Sequence, residues 1–356
     1  MSVLRLPNAQ SDLQNIVKNL TLIASVYSTL DDEFGLDEMR DVLANDYQIS
    51  SQGATGALAI ERSTRPDRSR DPLYNQVKMM SEIFRMLGWI RSSKGNRLKF
   101  QMTLLGLTVA IDSQHYPSSV RNGLVQESIL TIVFPNMSTT NVGIANQRPF
   151  VWLLSLMHHL DGFITRDEII IGLLGVTNDL PPGAFKKVIK DISESRLDDS
   201  GSDRVEVLAT ANDLQVNTLQ NYTRFPIGVL TSPLLNWADI ESGKIEFNGA
   251  KKRVYRLTDK GAALAASLVD RPDLRISKVE SLPNKDRVNV AEYAFQSLLI
   301  EAGFPIDIVN PNFEHLRIEG QNALRKLGFS IAGTPIYNPE LQENDEILAQ
   351  LLGEQD

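Results

Sequence analysis

The 356-residue chain contains no cysteine, which excludes disulfides, thiolate zinc sites and cysteine nucleophiles together and suits a cytoplasmic protein. Histidine is scarce: His115, His158, His159 and His315 are the whole supply. His158 and His159 are neighbours on an expected helix, so they point about 100° apart and make a poor pair for one metal. No stretch approaches the ~18 unbroken apolar residues of a membrane span. The opening MSVLRLPNAQSDLQ lacks the apolar run and small-residue cleavage site of a secretion signal. There is no GxxxxGK[ST] phosphate loop, and Glu292, Glu301 and Asp307 form no recognisable carboxylate pair. From these absences we expect no catalytic residue, no metal site and no membrane partner in this chain.

What is present is an uneven distribution of charge. The chain carries a net −8. Residues 62–99 nevertheless hold ten Lys or Arg against three acids, a surplus of +7, which leaves −15 for the rest. A basic island in an acidic protein can focus a polyanion onto one face. The same run also suits a solvated helix-and-loop surface.

One pattern recurs. DPLYNQVKMMSEIFRMLGWI (71–90) reads as a helix, RSSKGNRLKFQ (91–101) as a polar hairpin and MTLLGLTVAI (102–111) as a second helix. The order returns in 219–237, 238–256 and 257–269. Asp71 suits an N-cap, with Pro72 at the first helical position. Val77, Met80, Ile83, Phe84 and Leu87 fall at helical spacing, Gly88 is a stop signal, and Lys94-Gly95-Asn96 supplies the hairpin turn. Thr103 and Thr258 are placed to cap the following helices. Between the two copies, 148–176 reads as two helices broken at Asp161-Gly162-Phe163, with Thr165 and Glu168 as a capping box. Residues 181–196 read as a third helix with Lys186, Lys187 and Lys190 on one side. Trp89, Trp152 and Trp237 fall on apolar faces and are expected in the core.

These pieces predict a mainly α protein with short β-hairpins, built from tandem winged-helix and helix-turn-helix subdomains. The expected divisions are a winged helix at 1–115, a helix-turn-helix unit at 116–203, a second winged helix at 204–270, a linker at 271–287 and a C-terminal helical segment at 288–356. About 20 residues at each end are expected to be poorly ordered.

In such folds the reading helix and the wing meet a duplex, so double-stranded DNA is the expected partner. Arg65, Arg68, Ser69 and Arg70 precede the first reading helix, and Tyr74, Asn75 and Lys78 lie in its first two turns. Arg and Lys suit guanine or phosphate, and Asn suits adenine. Lys94, Asn96 and Arg97 in the first wing suit phosphate. Lys186 and Lys187 add charge in the middle unit. In the last unit Asn217, Gln220, Asn221, Tyr222, Thr223 and Arg224 form a polar run, followed by Lys251, Lys252 and Arg253 on the hairpin. That basic triplet also suits an edge guarded against aggregation.

Ser69-Arg70-Asp71, the Gly88-Trp89 step, Leu98–Gly106, Arg148-Pro149-Phe150-Val151 with Leu153, Leu154 and Leu156, and Gly162–Glu168 together resemble the DNA-recognition region of type IIS restriction endonucleases and their strand-nicking relatives. The resemblance covers about residues 60–270. It implies successive winged-helix subdomains that read a short site as part of a restriction system in antiviral defence. Several non-identical units on one chain suit an asymmetric site rather than a palindrome. Pro311-Asn312-Phe313-Glu314 and Ala323–Phe329 look like the opening helix of a restriction-type nuclease. In that family a Pro-Asp and a later Glu-x-Lys hold Mg²⁺ and activate water, and neither motif follows here. The implied cleavage centre is therefore missing from this chain or supplied in trans by a separate nuclease subunit or domain, with Mg²⁺ expected only there. A winged-helix transcriptional regulator and a protein-interaction scaffold of a defence system are the alternatives.

Overall fold

The computed structural model describes residues 3–7, 12–46, 48–51, 53–63, 70–93, 96–110, 118–134, 146–247 and 250–268, together with Pro283. The expected linker, Pro283 apart, and the C-terminal segment 288–356 lie outside the described residues.

The first unit opens with α1 (Leu13–Val26), whose N-cap Asp12 accepts the Gln14 N–H at 2.9 Å. Next come β1 (Glu33–Gly35), α2 (Leu36–Asn45), the short pair β2 (Ser50–Ser51) and β3 (Ala54–Thr55), and α3 (Ala57–Arg62). Then follow α4 (Pro72–Met86), β4 (Ile90–Ser93), β5 (Asn96–Met102) and α5 (Leu104–Ala110). Asp71 caps α4 as its sequence position predicts, accepting the Leu73 N–H at 2.8 Å. The antiparallel sheet runs β1-β5-β4, with Phe34 opposite Phe100 and Ile90 opposite Met102. Helix, strand, helix, helix, strand, strand is the order of a winged helix. β2, β3 and α3 are an insertion between its second and third helices.

After α6 (Ser118–Leu130) the order repeats. It runs α7 (Pro149–His159), β6 (Phe163–Thr165) and α8 (Arg166–Ile169), which continues as a π-turn over Ile170–Leu174. α9 (Ala184–Asp198) and α10 (Gly201–Ala211) form an inserted helical hairpin. α11 (Val216–Tyr222), α12 (Arg224–Leu230), β7 (Ala238–Phe247), β8 (Ala250–Leu257) and α13 (Asp259–Ser267) complete the unit. Asp161 and Gly162 both take positive φ, 60° and 74°, and this turns the chain out of α7 into β6. Pro226 has no N–H for the Tyr222 carbonyl, and a proline ring crowds the carbonyl four residues back, so the third helix is broken at Thr223.

The sheet β6-β8-β7 pairs Ile164 with Tyr255. The division expected after residue 203 falls inside α10, and the strands of this sheet come from both sides of it. Residues 149–268 are thus one winged-helix unit with a helical insertion, not two subdomains.

The two units share a junction in detail. Thr103 and Thr258 each accept a glycine N–H, from Gly106 and Gly261, at 3.0 Å. Each donates its hydroxyl at 2.6 Å to the residue before a buried tryptophan, the Gly88 and Asn236 carbonyls. Gly88 and Asn236 both have positive φ. A Cβ on Gly106 or Gly261 would collide with the carbonyl of Trp89 or Trp237. The helix after the first strand is also capped alike: Glu38 accepts from the Gly35 N–H at 3.2 Å and Glu168 from the Thr165 N–H at 2.8 Å.

α6 lies between the units and packs on both α5 and α7. Its Ser128 accepts the Trp89 indole N–H at 3.1 Å and its Gln126 accepts the Trp237 indole at 3.3 Å. Residues two apart on a helix lie about 200° apart, so each unit holds its own face of α6. Residues 3–7 are also packed, contrary to expectation. Leu4 and Leu6 are buried, and the Leu4 N–H reaches the Leu174 carbonyl at 2.8 Å. No helix among the described residues is long and apolar enough to cross a membrane.

Candidate nucleic-acid interface

In α4 the buried positions are Leu73, Val77, Met80, Ser81, Ile83, Phe84 and Met86. The opposite stripe is Asn75, Lys78, Met79 and Glu82, of which Lys78 is exposed and the others half-buried. Their spacing of three and four places them on one face. Lys78 has no carboxylate partner among the described residues. Tyr74 turns instead toward a small cleft of about 120 Å³ that it lines with Asp37, Arg40 and Asp71. Arg70 is exposed at the start of the helix. Arg65, Arg68, Ser69 and Lys94 lie outside the described residues, and of Asn96 and Arg97 the backbone alone is described.

Part of the basic island belongs to the structure itself. Arg85 is half-buried with its guanidinium 5.6 Å from the centre of the Phe100 ring, and burial lowers its pKa. Lys99 reaches Glu38 at 2.6 Å. Their hydrogen bond lowers the Glu38 pKa and raises that of Lys99. Arg91, on β4, is exposed and without a carboxylate partner among the described residues.

The second unit presents fewer free cations than its sequence suggests. Asn221 and Tyr222 are half-buried on α11, and Arg224 is exposed. Thr223 is fully buried and donates its hydroxyl to the Gln220 carbonyl at 2.7 Å, so it closes a helix end rather than facing a partner. Of the hairpin triplet, Lys251 is described in its backbone alone. Lys252 is bound at 3.0 Å to Asp199 and at 3.6 Å to Asp167. Burial works against its charge, but the Asp199 hydrogen bond and the two carboxylate charges outweigh it and leave its pKa above 10.5. Lys252 therefore ties β8 to α8 and the end of α9, and Arg253 beside it stays exposed. Lys186 and Lys187 are exposed on α9. Two residues escaped the sequence reading: Glu82, one turn beyond Lys78, and Arg166 at the start of α8. The periodicity of the α4 apolar face was the signal for Glu82. Arg166 stood in the Thr165–Glu168 capping box and was read as helix start only.

The inserted hairpin is fastened by Arg196. Its Nε lies 2.7 Å from Glu168 Oε1, and Nη2 lies 3.2 Å from Oε2. Nη1 and Nη2 also donate to the Leu160 and Phe163 carbonyls at 3.1 and 2.9 Å. The guanidinium stacks 4.0 Å above the Phe163 ring. Glu168 is buried and Arg196 nearly so, with side-chain exposures of 5% and 12%. His159 Nδ1 meets the Ser155 carbonyl at 2.9 Å and its ring packs edge-on against Phe185. Among the described residues no three His, Asp or Glu side chains gather as a metal site.

No protein-family model matches this sequence, and no curated protein matches it. Among solved structures the chain is similar to the restriction endonuclease FokI, with a TM-score of 0.38 and 15% identity over 98% of this chain and 60% of that one. It is also similar to FokI bound to DNA, with a TM-score of 0.36 and 16% identity over 92% and 57% of the two chains. The chain spans about three-fifths of the length of these structures.

Proposed function

We propose that this chain binds double-stranded DNA as the sequence-reading part of a restriction endonuclease specific for a short asymmetric site, its cutting centre lying outside this chain. The observation that carries the reading is the solvent stripe of α4. It offers an amide at Asn75, an ammonium at Lys78 and a carboxylate at Glu82 along one face of a winged-helix third helix. These are groups that hydrogen-bond base edges in a major groove. Arg70 before the helix and Arg91 after it supply charge for phosphates on either side.

The test is selection from random duplexes at two salt concentrations. One non-palindromic motif and a steep loss of affinity with salt are expected. Lys78→Ala should relax the choice of base at one position, whereas Arg91→Ala should weaken all sequences alike and reduce the salt slope by about one. A palindromic motif bound by a homodimer would favour a transcriptional regulator, and salt-insensitive or absent binding would sink the DNA reading.

A further inference from the structure

Beside the second wing lies an open cleft of about 380 Å³ lined by Thr165, Arg166, Asp167, Lys252, Arg253 and Tyr255. It is at the lower end of ligand-pocket sizes, and four of its six lining residues are charged, which suits a charged ligand better than an apolar one. Its charges are unevenly committed. Lys252 is shared by Asp167 and Asp199, which leaves that corner one charge negative. Arg166 and Arg253 have no carboxylate partner among the described residues and bring two positive charges. The Arg166 Nε is buried with no hydrogen-bond acceptor among the described residues. A buried guanidinium N–H needs an acceptor, which an ordered water or a bound anion can supply.

The fold does not require an arginine here. The glutamate-to-N-cap hydrogen bonds align Gly35 and Glu38 of the first unit with Thr165 and Glu168 of the second. The residue that aligns with Arg166 is then Leu36, which is buried as ordinary core. Where the first unit has a core leucine, the second has an arginine lining a solvent-open cleft, beside Arg253 from β8.

We propose that Arg166 and Arg253 form a seat for one phosphodiester group of a nucleic-acid backbone. The net surplus of a single positive charge suits a phosphodiester monoanion, and paired guanidinium forks match phosphate oxygens. The source of the phosphodiester rests on the DNA reading above; the seat itself does not.

The experiment uses the whole chain and two probes. The first is a dinucleotide with a single phosphodiester and no terminal phosphate, followed by the side-chain Nε–H resonance of Arg166. The second is a random-sequence duplex, followed by fluorescence anisotropy at two salt concentrations. The expected result is a saturable shift of the Arg166 resonance. Arg166→Leu, the residue type of the first unit and so expected to fold, should bind duplex roughly tenfold more weakly for every sequence, with a salt slope lower by about one. Arg166→Lys should recover part of the loss. A shifted resonance in a protein that binds no duplex would leave the seat standing and remove DNA as its source. An unmoved Arg166 resonance, with Arg166→Leu and Arg253→Gln binding duplex as the parent does, would overturn the proposal.

Discussion

Arg196 ties the inserted hairpin to α8, and its loss should be costly to the second unit. Replacing it by methionine keeps much of the stem over Phe163 but removes the guanidinium. Glu168 is left buried and charged with the Thr165 N–H as its remaining bond, and the Leu160 and Phe163 carbonyls lose their donors. Removing one partner of a buried ion pair costs about 3–5 kcal/mol. In a unit of about 120 residues each kcal/mol moves the melting temperature by about 4 °C, so a fall of about 12–20 °C is expected. Thermal and urea unfolding followed by far-UV circular dichroism measure it. Glu168→Gln in the same background neutralises the stranded carboxylate and keeps an acceptor for Thr165. It should restore most of the loss, with about 1–3 kcal/mol remaining for unpaired carbonyls. An Arg196→Met cost below about 1 kcal/mol, the scale of an exposed pair, would refute the assignment. So would a double variant no more stable than the single one.

The Glu38–Lys99 pair gives a pH dependence with a definite sign. Glu38 has a lowered pKa in the folded state, so its contribution is complete above its ordinary value of 4.5 and fades as pH falls through the lower, folded value. Lys99 is raised, so its share is complete below 10.5 and is lost as pH rises through its folded value. Lys99→Met should therefore flatten the acid limb of a stability-against-pH curve, and an unchanged limb would remove the pair from the account. Gly106→Ala and Gly261→Ala should each destabilise by about 2 kcal/mol or more. The new methyl meets a tryptophan carbonyl that the adjoining threonine cap holds in place, and the ~1 kcal/mol gain in helix propensity is too small to offset it. Chemical denaturation of either variant at parental midpoint would contradict the close approach.

The parts of the fold that were legible in the sequence are local. Asp71-Pro72 opens α4, Thr165 and Glu168 box the start of α8, and Thr103 and Thr258 cap α5 and α13, because each signal is complete within three or four residues. β1 and β6 were invisible: three residues cannot show a period of two, and their partners lie in hairpins far along the chain. Without β6 the pairing of Ile164 with Tyr255 was not available, and one winged helix was read as two subdomains. The candidate site divided in the same way. The apolar periodicity of α4 fixed its solvent face and hence Asn75 and Lys78. Lys252 looked like a free wing cation because Asp167 and Asp199, which hold it, come from two other elements. Thr223 looked like a polar surface residue because the break imposed by Pro226 three residues later was not foreseen.

The two units share a topology and a tryptophan junction, yet they differ at the positions that face outward. α4 is one continuous helix with a charged stripe, whereas its counterpart is broken between α11 and α12 and carries amides and a single arginine. Glu38 is paired from the sheet by Lys99, and Glu168 from an inserted hairpin by Arg196. Leu36 is core where Arg166 lines a cleft. α6, whose Ser128 accepts from Trp89 and whose Gln126 accepts from Trp237, bridges these unlike surfaces. A duplex bound by both would meet two different sets of groups in a fixed order, and nothing in that order has a two-fold axis. On the proposed reading, such unlike surfaces call for an asymmetric site. A palindromic preference would require a second copy, whose presence a measurement of stoichiometry on the bound duplex would reveal.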